Sequence, residues 1–298
     1  MTRPRDRLFG CGTALVTPFS GDGELDEPAL RALVEWQIEE GIHFLVPCGS
    51  TGEAATMTPR EHRRVVEIVV DQTRGRVPVA AGAGSNDTKK AVALSKEMAA
   101  AGATHLLHVS PMYNKPPQRG ILAHFREVAA ATDLPVIVYN VPGRTGSNIE
   151  AATTLALADV PNIIAVKEAS GSMGQILEIL TGRPPHFSVL SGDDAITLPL
   201  MAAGADGIIS VISNATPRLM ARLVELADSG KMTEARAIHD RLSPWMRCAF
   251  IESNPIPTKA ALAMMGRMKN VLRLPLVPLA DAHSAAVRES LRGAGALE

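Results

Sequence analysis

Eight short apolar runs recur along the chain, at 11–16, 42–47, 78–82, 104–109, 135–140, 163–168, 186–191 and 206–211, and a stretch of helical period follows each. Apolar runs of this length read as buried strands, and alternation of such strands with amphipathic helices builds a parallel sheet. The helical stretches lie near 27–40, 59–73, 87–101, 118–131, 150–158, 172–181, 193–203 and 216–229. Several open on start signals: Thr58-Pro59-x-Glu61 puts a capping residue before a proline at the first helical position, and Asn86-Asp87 and Thr216-Pro217 do similar work. Eight strand–helix units are the number that closes a barrel, so the expected fold is α/β, a (β/α)8 TIM barrel over residues 1–230. An open doubly wound sheet is the alternative, but it usually needs fewer units. From about 231 the strand signals fade, and residues 231–298 read as a C-terminal helical region packed on the barrel, interrupted at Ser253-Asn254-Pro255-Ile256-Pro257 and Leu274-Pro275.

Composition narrows the partners. A formal charge of -1 on 298 residues feeds neither nucleic-acid nor anionic-membrane binding, and aromatics are scarce. No apolar stretch is long enough to span a bilayer, and the first ten residues lack the apolar core of a signal peptide. Cys11, Cys48 and Cys248 are widely spaced and odd in number, which points to core thiols in a reducing cytoplasm. His105 and His108 fall on opposite faces of a strand, so no metal site is expected there. Ala81-Gly82-Ala83-Gly84-Ser85-Asn86 follows the third strand and lacks the third glycine of a dinucleotide loop; a tight strand-to-helix turn accounts for it better.

In a barrel of this kind chemistry collects where strands end and βα loops begin. Lys167 closes the run Asn162-Ile163-Ile164-Ala165-Val166-Lys167. An ammonium at the rim of an apolar core loses hydration, which brings the neutral, nucleophilic amine within reach. Taken alone, Lys167 reads more simply as a strand-end lysine that snorkels to water or pairs with Glu168. Its company argues otherwise. The second strand ends in Gly49-Ser50-Thr51-Gly52-Glu53, and the fourth runs into Ser110-Pro111-Met112-Tyr113. The fifth ends in Tyr139-Asn140-Val141-Pro142-Gly143-Arg144-Thr145-Gly146, the seventh in Ser191-Gly192-Asp193-Asp194, where the two acids read as a turn and helix cap. Both tyrosines of the chain thus fall at this face, beside hydroxyls, an arginine and the lysine. Such a set fits attack of Lys167 on a ketone to form a Schiff base, with Tyr139 and Ser50 moving protons, Ser50 and Thr51 donating to one carboxylate and Arg144 clamping another.

Three motifs, Gly49-Ser50-Thr51-Gly52-Glu53, Tyr139 to Gly146, and Val166-Lys167-Glu168-Ala169-Ser170-Gly171, make the chain resemble the dihydrodipicolinate synthase/N-acetylneuraminate lyase family over essentially its whole length. Arg144 and Asn254-Pro255-Ile256-Pro257 look like the synthase branch. The resemblance implies a lyase that condenses pyruvate with L-aspartate-4-semialdehyde on the route to diaminopimelate and lysine, with no cofactor beyond the covalent Schiff base. Another pyruvate aldolase or dehydratase acting on a hydroxy-oxo acid or sugar acid is the alternative within the fold; a binding barrel without turnover is the alternative outside it. By the same resemblance Lys167 binds pyruvate, Tyr139 exchanges protons, and Ser50 stands where most members have threonine. Arg144 binds the carboxylate of the semialdehyde, and Gly192 and Ile209 offer backbone near that of pyruvate. Tyr113 matches a tyrosine that reaches across a dimer interface into a partner's site, and the resemblance implies a cytoplasmic homotetramer, a dimer of dimers. Lysine-inhibited members bind lysine through positions matching Pro59, His62, Asn86, Lys90 and Met112. Here Lys90 replaces an acid, so a cationic effector meets a like charge, and no lysine feedback is expected.

Overall fold

The computed structural model describes residues 8–298. In chain order its elements are β1 (Gly10–Ala14), α1 (Glu27–Glu39), β2 (Phe44–Val46), α2 (Pro59–Thr73), β3 (Ala80–Gly82), α3 (Thr88–Ala100), β4 (His105–Val109), α4 (Gln118–Ala130), β5 (Val136–Asn140), α5 (Pro142–Thr145), α6 (Ala151–Ala158), β6 (Ile163–Glu168), α7 (Met173–Gly182), β7 (Ser188–Ser191), α8 (Thr197–Ala202), β8 (Gly207–Ser210) and α9 (Pro217–Asp228). Three further helices follow, α10 (Met232–Cys248), α11 (Ile256–Met264) and α12 (Asp281–Ala294).

The eight strands run parallel in the order β2-β1-β8-β7-β6-β5-β4-β3. A parallel bridge between Leu45 and Val79 joins the two ends, supported by Leu45 N–H to Pro78 O at 3.0 Å and Gly82 N–H to Pro47 O at 2.9 Å. The expected (β/α)8 barrel is therefore the fold. Alternation along each strand divides the apolar residues into two cores. Ala14, Phe44, Leu107, Ile137, Tyr139 and Ile209 belong to the inner one. Leu45, Leu106, Val138, Val166 and Val189 belong to the outer, with Phe125, Ile176 and Met220 from the surrounding helices. Gly12 has no side chain because the Phe44 ring occupies that space: a Cβ there would lie 2.0 Å from it.

The start signals were read unevenly by the fold. Thr58 and Glu61 exchange two bonds, Glu61 N–H to Thr58 Oγ1 at 3.3 Å and Thr58 N–H to Glu61 Oε2 at 2.8 Å, and Asp87 Oδ1 accepts from Lys89 N–H at 2.9 Å. Thr216 does not cap α9; its hydroxyl donates to Ile212 O at 2.9 Å instead. The helix expected over 193–203 is split into a 3-10 turn, Asp194–Ile196, and α8. α5 is a single turn with Pro142 at its start, too short for periodicity to reveal. Helices α10 to α12 share the outer core: Leu242, Trp245, Leu262, Val287 and Leu291 are all buried in it, and Trp245 Nε1 donates to Ile212 O at 3.4 Å. Among the described residues no helix is long and apolar enough to cross a membrane.

Candidate active site

The C-terminal ends of the strands surround a cavity of about 210 Å³ whose lining includes Ser50, Thr51, Tyr139, Arg144, Lys167 and Gly192. Six residues singled out in the sequence thus meet in one place. Lys167 and Tyr139 are paired in register on β6 and β5, so both side chains turn to the barrel interior, and Lys167 Nζ lies 4.2 Å from the Tyr139 ring centroid. Their successors Glu168 and Asn140 are also in register and, one residue on, face the other way. That disposes of a Lys167–Glu168 pair. The buried Glu168 carboxylate is held by neutral donors: Asn140 Nδ2 at 3.1 Å, Gln175 Nε2 at 3.2 Å and Ser170 N–H at 2.7 Å.

Burial sets the protonation of the central pair. It draws the Lys167 ammonium down to about 7, while the negative charge of Asp194 pushes the other way. Tyr139, also buried, is pushed up to about 12, so its hydroxyl keeps its proton at neutral pH. Gly192 leaves room beside the lysine: a Cβ on it would come 3.1 Å from Lys167 Cε and 2.7 Å from Ala169 Cβ.

Asp194 corrects the reading of Asp193-Asp194 as a turn and cap. Asp193 does cap, its Oδ1 accepting from Ala195 N–H at 3.0 Å. Asp194 is buried, accepts from Ser210 Oγ, and takes Val211 N–H at 3.0 Å and Ile212 N–H at 3.4 Å, which ties the β7 loop to the β8 loop. Desolvation pushes its carboxyl up to about 6, and it remains the charge that opposes the shift of Lys167.

Two more lining residues, Phe250 and Asn254, come from the region beyond α10. Asn254 Nδ2 donates to Thr51 Oγ1 at 2.8 Å, and its backbone oxygen accepts from Arg144 Nη2 at 3.3 Å. One residue thereby joins the two groups assigned to anions. Asn254 is buried, and its Oδ1 has no protein partner. Apart from the unusual Asn-Pro-Ile-Pro string, no local pattern marked it.

Two of the expected site residues, Ile209 and Tyr113, are not among the residues that line the cavity. Ile209 belongs to the inner core and is not among the cavity's lining; its neighbour but one, Val211, is. Tyr113 stands on the surface, 88% exposed and at φ 73°, with its N–H held by Thr145 O at 3.0 Å. The described residues contain no group of three or more His, Cys, Asp or Glu placed to hold a metal.

Comparison with known proteins agrees with this architecture at every scale. The family model for the dihydrodipicolinate synthetase family matches residues 7–294. A 4-hydroxy-tetrahydrodipicolinate synthase of Koribacter versatilis is 51% identical over 98% of this chain and 98% of its own. The dihydrodipicolinate synthase of Thermotoga maritima superposes with a TM-score of 0.96 at 41% identity, covering 97% of this chain and 99% of that one. A chloride-inhibited dihydrodipicolinate synthase of Acinetobacter baumannii, complexed with pyruvate, gives 0.95 at 39% identity over 97% and 99%. Matches of this length, joined to a buried lysine at the end of the sixth barrel strand, establish that the chain belongs to the dihydrodipicolinate synthetase family.

Proposed function

We propose that the chain is a lyase that condenses pyruvate with L-aspartate-4-semialdehyde through a Schiff base on Lys167, the reaction of the relatives named 4-hydroxy-tetrahydrodipicolinate synthase. The observation that carries the reading is Lys167 itself, buried at 4.2 Å from the Tyr139 ring with its ammonium drawn down to about 7. A large fraction of neutral amine is then available at ordinary pH.

The neutral amine attacks the ketone carbon of pyruvate, and loss of water leaves the iminium. Ser50 and Thr51 donate to the pyruvate carboxylate. Loss of a methyl proton gives the enamine, whose carbon attacks the aldehyde of the second substrate while the aldehyde oxygen takes a proton. Tyr139, protonated and buried, is the group for these transfers, and Ser50 lines the same cavity. Arg144, exposed at the mouth, binds the carboxylate of the semialdehyde. The unpartnered Asn254 Oδ1 suits the same substrate's ammonium. That amine, once neutral, displaces Lys167 from the imine carbon and closes the ring. The balance is one water lost from the two substrates.

The reading extends to a cytoplasmic homotetramer built of two dimers, in which Tyr113 completes a neighbour's site. Its support is a tyrosine left 88% exposed, against the habit of large aromatics. No cofactor beyond the covalent imine is required.

Treatment with pyruvate and borohydride tests the covalent step: the mass of reduced pyruvate is expected on Lys167 and none on Lys167→Ala. A label on another lysine sinks the assignment. Assay of the wild-type protein with pyruvate and a panel of aldehydes then tests the partner. Preference for a hydroxy-oxo acid or sugar aldehyde would move the reading to another aldolase of the fold.

A further inference from the structure

The loop that carries Ser50 and Thr51 ends in a residue whose backbone is strained. Glu53 has φ 55°, in the left-handed region that side chains other than glycine's disfavour. The turn has two bonds of its own, Gly52 N–H to Gly49 O at 3.0 Å and Glu53 N–H to Ser50 O at 3.2 Å. Its firmest anchor comes from the other end of the chain. Glu53 Oε1 receives Lys259 Nζ from α11 at 2.6 Å, and Oε2 receives the Arg273 N–H at 3.1 Å. Both side chains of the ion pair are fully buried. The Lys259 ammonium and the Arg273 guanidinium each lie 4.3 Å from the Phe19 ring centroid, so the pair sits in a closed, apolar-walled setting. Burial draws the Lys259 ammonium down to about 8, with Glu53 opposing the shift.

Two charges taken wholly out of water gain little net stability from each other, because desolvation cancels most of their attraction; the better-attested use of such a pair is to impose one arrangement. The arrangement imposed here belongs to a loop in the cavity wall. Neither Glu53 nor Lys259 lines the cavity, whereas Gly49, Ser50 and Thr51 all do. Two residues before α11, Asn254 grips Thr51 directly through its Nδ2 at 2.8 Å.

We propose that Glu53 and Lys259 are positioning residues: through their buried pair, α11 holds the Ser50–Thr51 loop in the conformation that receives the carboxylate of pyruvate. This rests on the reading of Ser50 and Thr51 given under the proposed function. The competing role is a plain fastening of α11 to the barrel, which would affect stability and nothing else.

The double variant Glu53→Gln/Lys259→Met separates the two roles. Each single variant strands one buried charge and loses stability, which confounds its kinetics; the double variant leaves none, and its melting temperature is expected near that of the wild type. Its KM for pyruvate, and the pyruvate concentration for half-maximal borohydride trapping, should nonetheless rise about 10-fold, since a small misplacement of a binding group is costly. KM for the semialdehyde should stay put, because Arg144 is untouched. A double variant with wild-type pyruvate dependence overturns the proposal, as does one whose two KM values rise together. Amide hydrogen exchange over residues 49–53 is read in the same samples without pyruvate, and faster exchange in the double variant is expected. Should wild-type protein form no adduct at all, the proposed function fails, yet unchanged exchange would still refute the ordering of the loop by this pair.

Discussion

The role proposed for Lys167 rests on opposed effects: desolvation by the barrel, with a smaller push from Arg144, lowers its ammonium, and the field of Asp194 raises it. The direction of each is testable. Attack requires the neutral amine, so at subsaturating pyruvate the rate of imine formation should rise with pH through about 7 and level off above it. Asp194 is ionised over most of that range, since its own carboxyl titrates at about 6. Its negative charge favours the ammonium. Asp194→Asn should therefore move the midpoint of the pH profile down, and a midpoint that stays or moves up would show that Asp194 does not act on the lysine. Tyr139→Phe keeps the ring against Lys167 and removes the hydroxyl; turnover should fall on the order of 10²–10⁴-fold while the borohydride adduct persists. None of these neighbours of Lys167 adjoins it in sequence, but Tyr139 was legible because it, too, ends a strand. Asp194 was not, because a Gly-Asp-Asp string after a strand is what a turn and cap look like.

Among the elements, the strands were the most legible, since each is an apolar run and the run survives in the fold. Helix α2 was legible to its first residue because Thr58 and Glu61 do satisfy each other's donors. That cap should count in stability and not in chemistry. Thr58→Ala is expected to cost about 1 kcal/mol in denaturant unfolding while turnover is kept. A loss of activity at unchanged stability would contradict it. Thr216 shows the limit of such signals: the residue type is right for a cap, yet its hydroxyl is taken by the preceding 3-10 turn, Ile212–Asn214. α5 escaped detection because one turn of helix has no period, and it matters because it carries Arg144.

At the scale of the whole molecule, the exposed Tyr113 leads to a complementation test. If Tyr113 serves its neighbour, mixing Tyr113→Phe subunits with Lys167→Ala subunits yields hybrids in which one site has both its own Lys167 and the partner's Tyr113. Activity should then return from two impaired parents; proven hybrids without activity would refute the shared site. The positions matched to a lysine site lead to a second test. Lys90 is exposed, His62 Nε2 is engaged with Gly82 O at 2.8 Å, and Asn86 Nδ2 donates to Met112 O at 3.2 Å. Two of the polar groups a lysine ligand would need are thus occupied, and the positive charge of Lys90 stands where such a ligand's ammonium would want an acid. L-lysine should neither bind at submillimolar concentration in calorimetry nor inhibit in the steady state; matching binding and inhibition there would overturn this.

The chain's own sequence determined the barrel and its central lysine, because hydrophobic period and strand ends are properties of neighbouring residues. It also placed Ser50, Thr51, Tyr139 and Arg144 at the working face by the same rule. Only the closed tertiary structure decided what holds them. Asn254 meets Thr51 across 203 positions of sequence and Lys259 meets Glu53 across 206, by way of a helical region that returns over the mouth of the barrel. Contacts of that separation leave no periodic trace, and the field of a buried carboxylate on a buried ammonium exists only once both have lost their water.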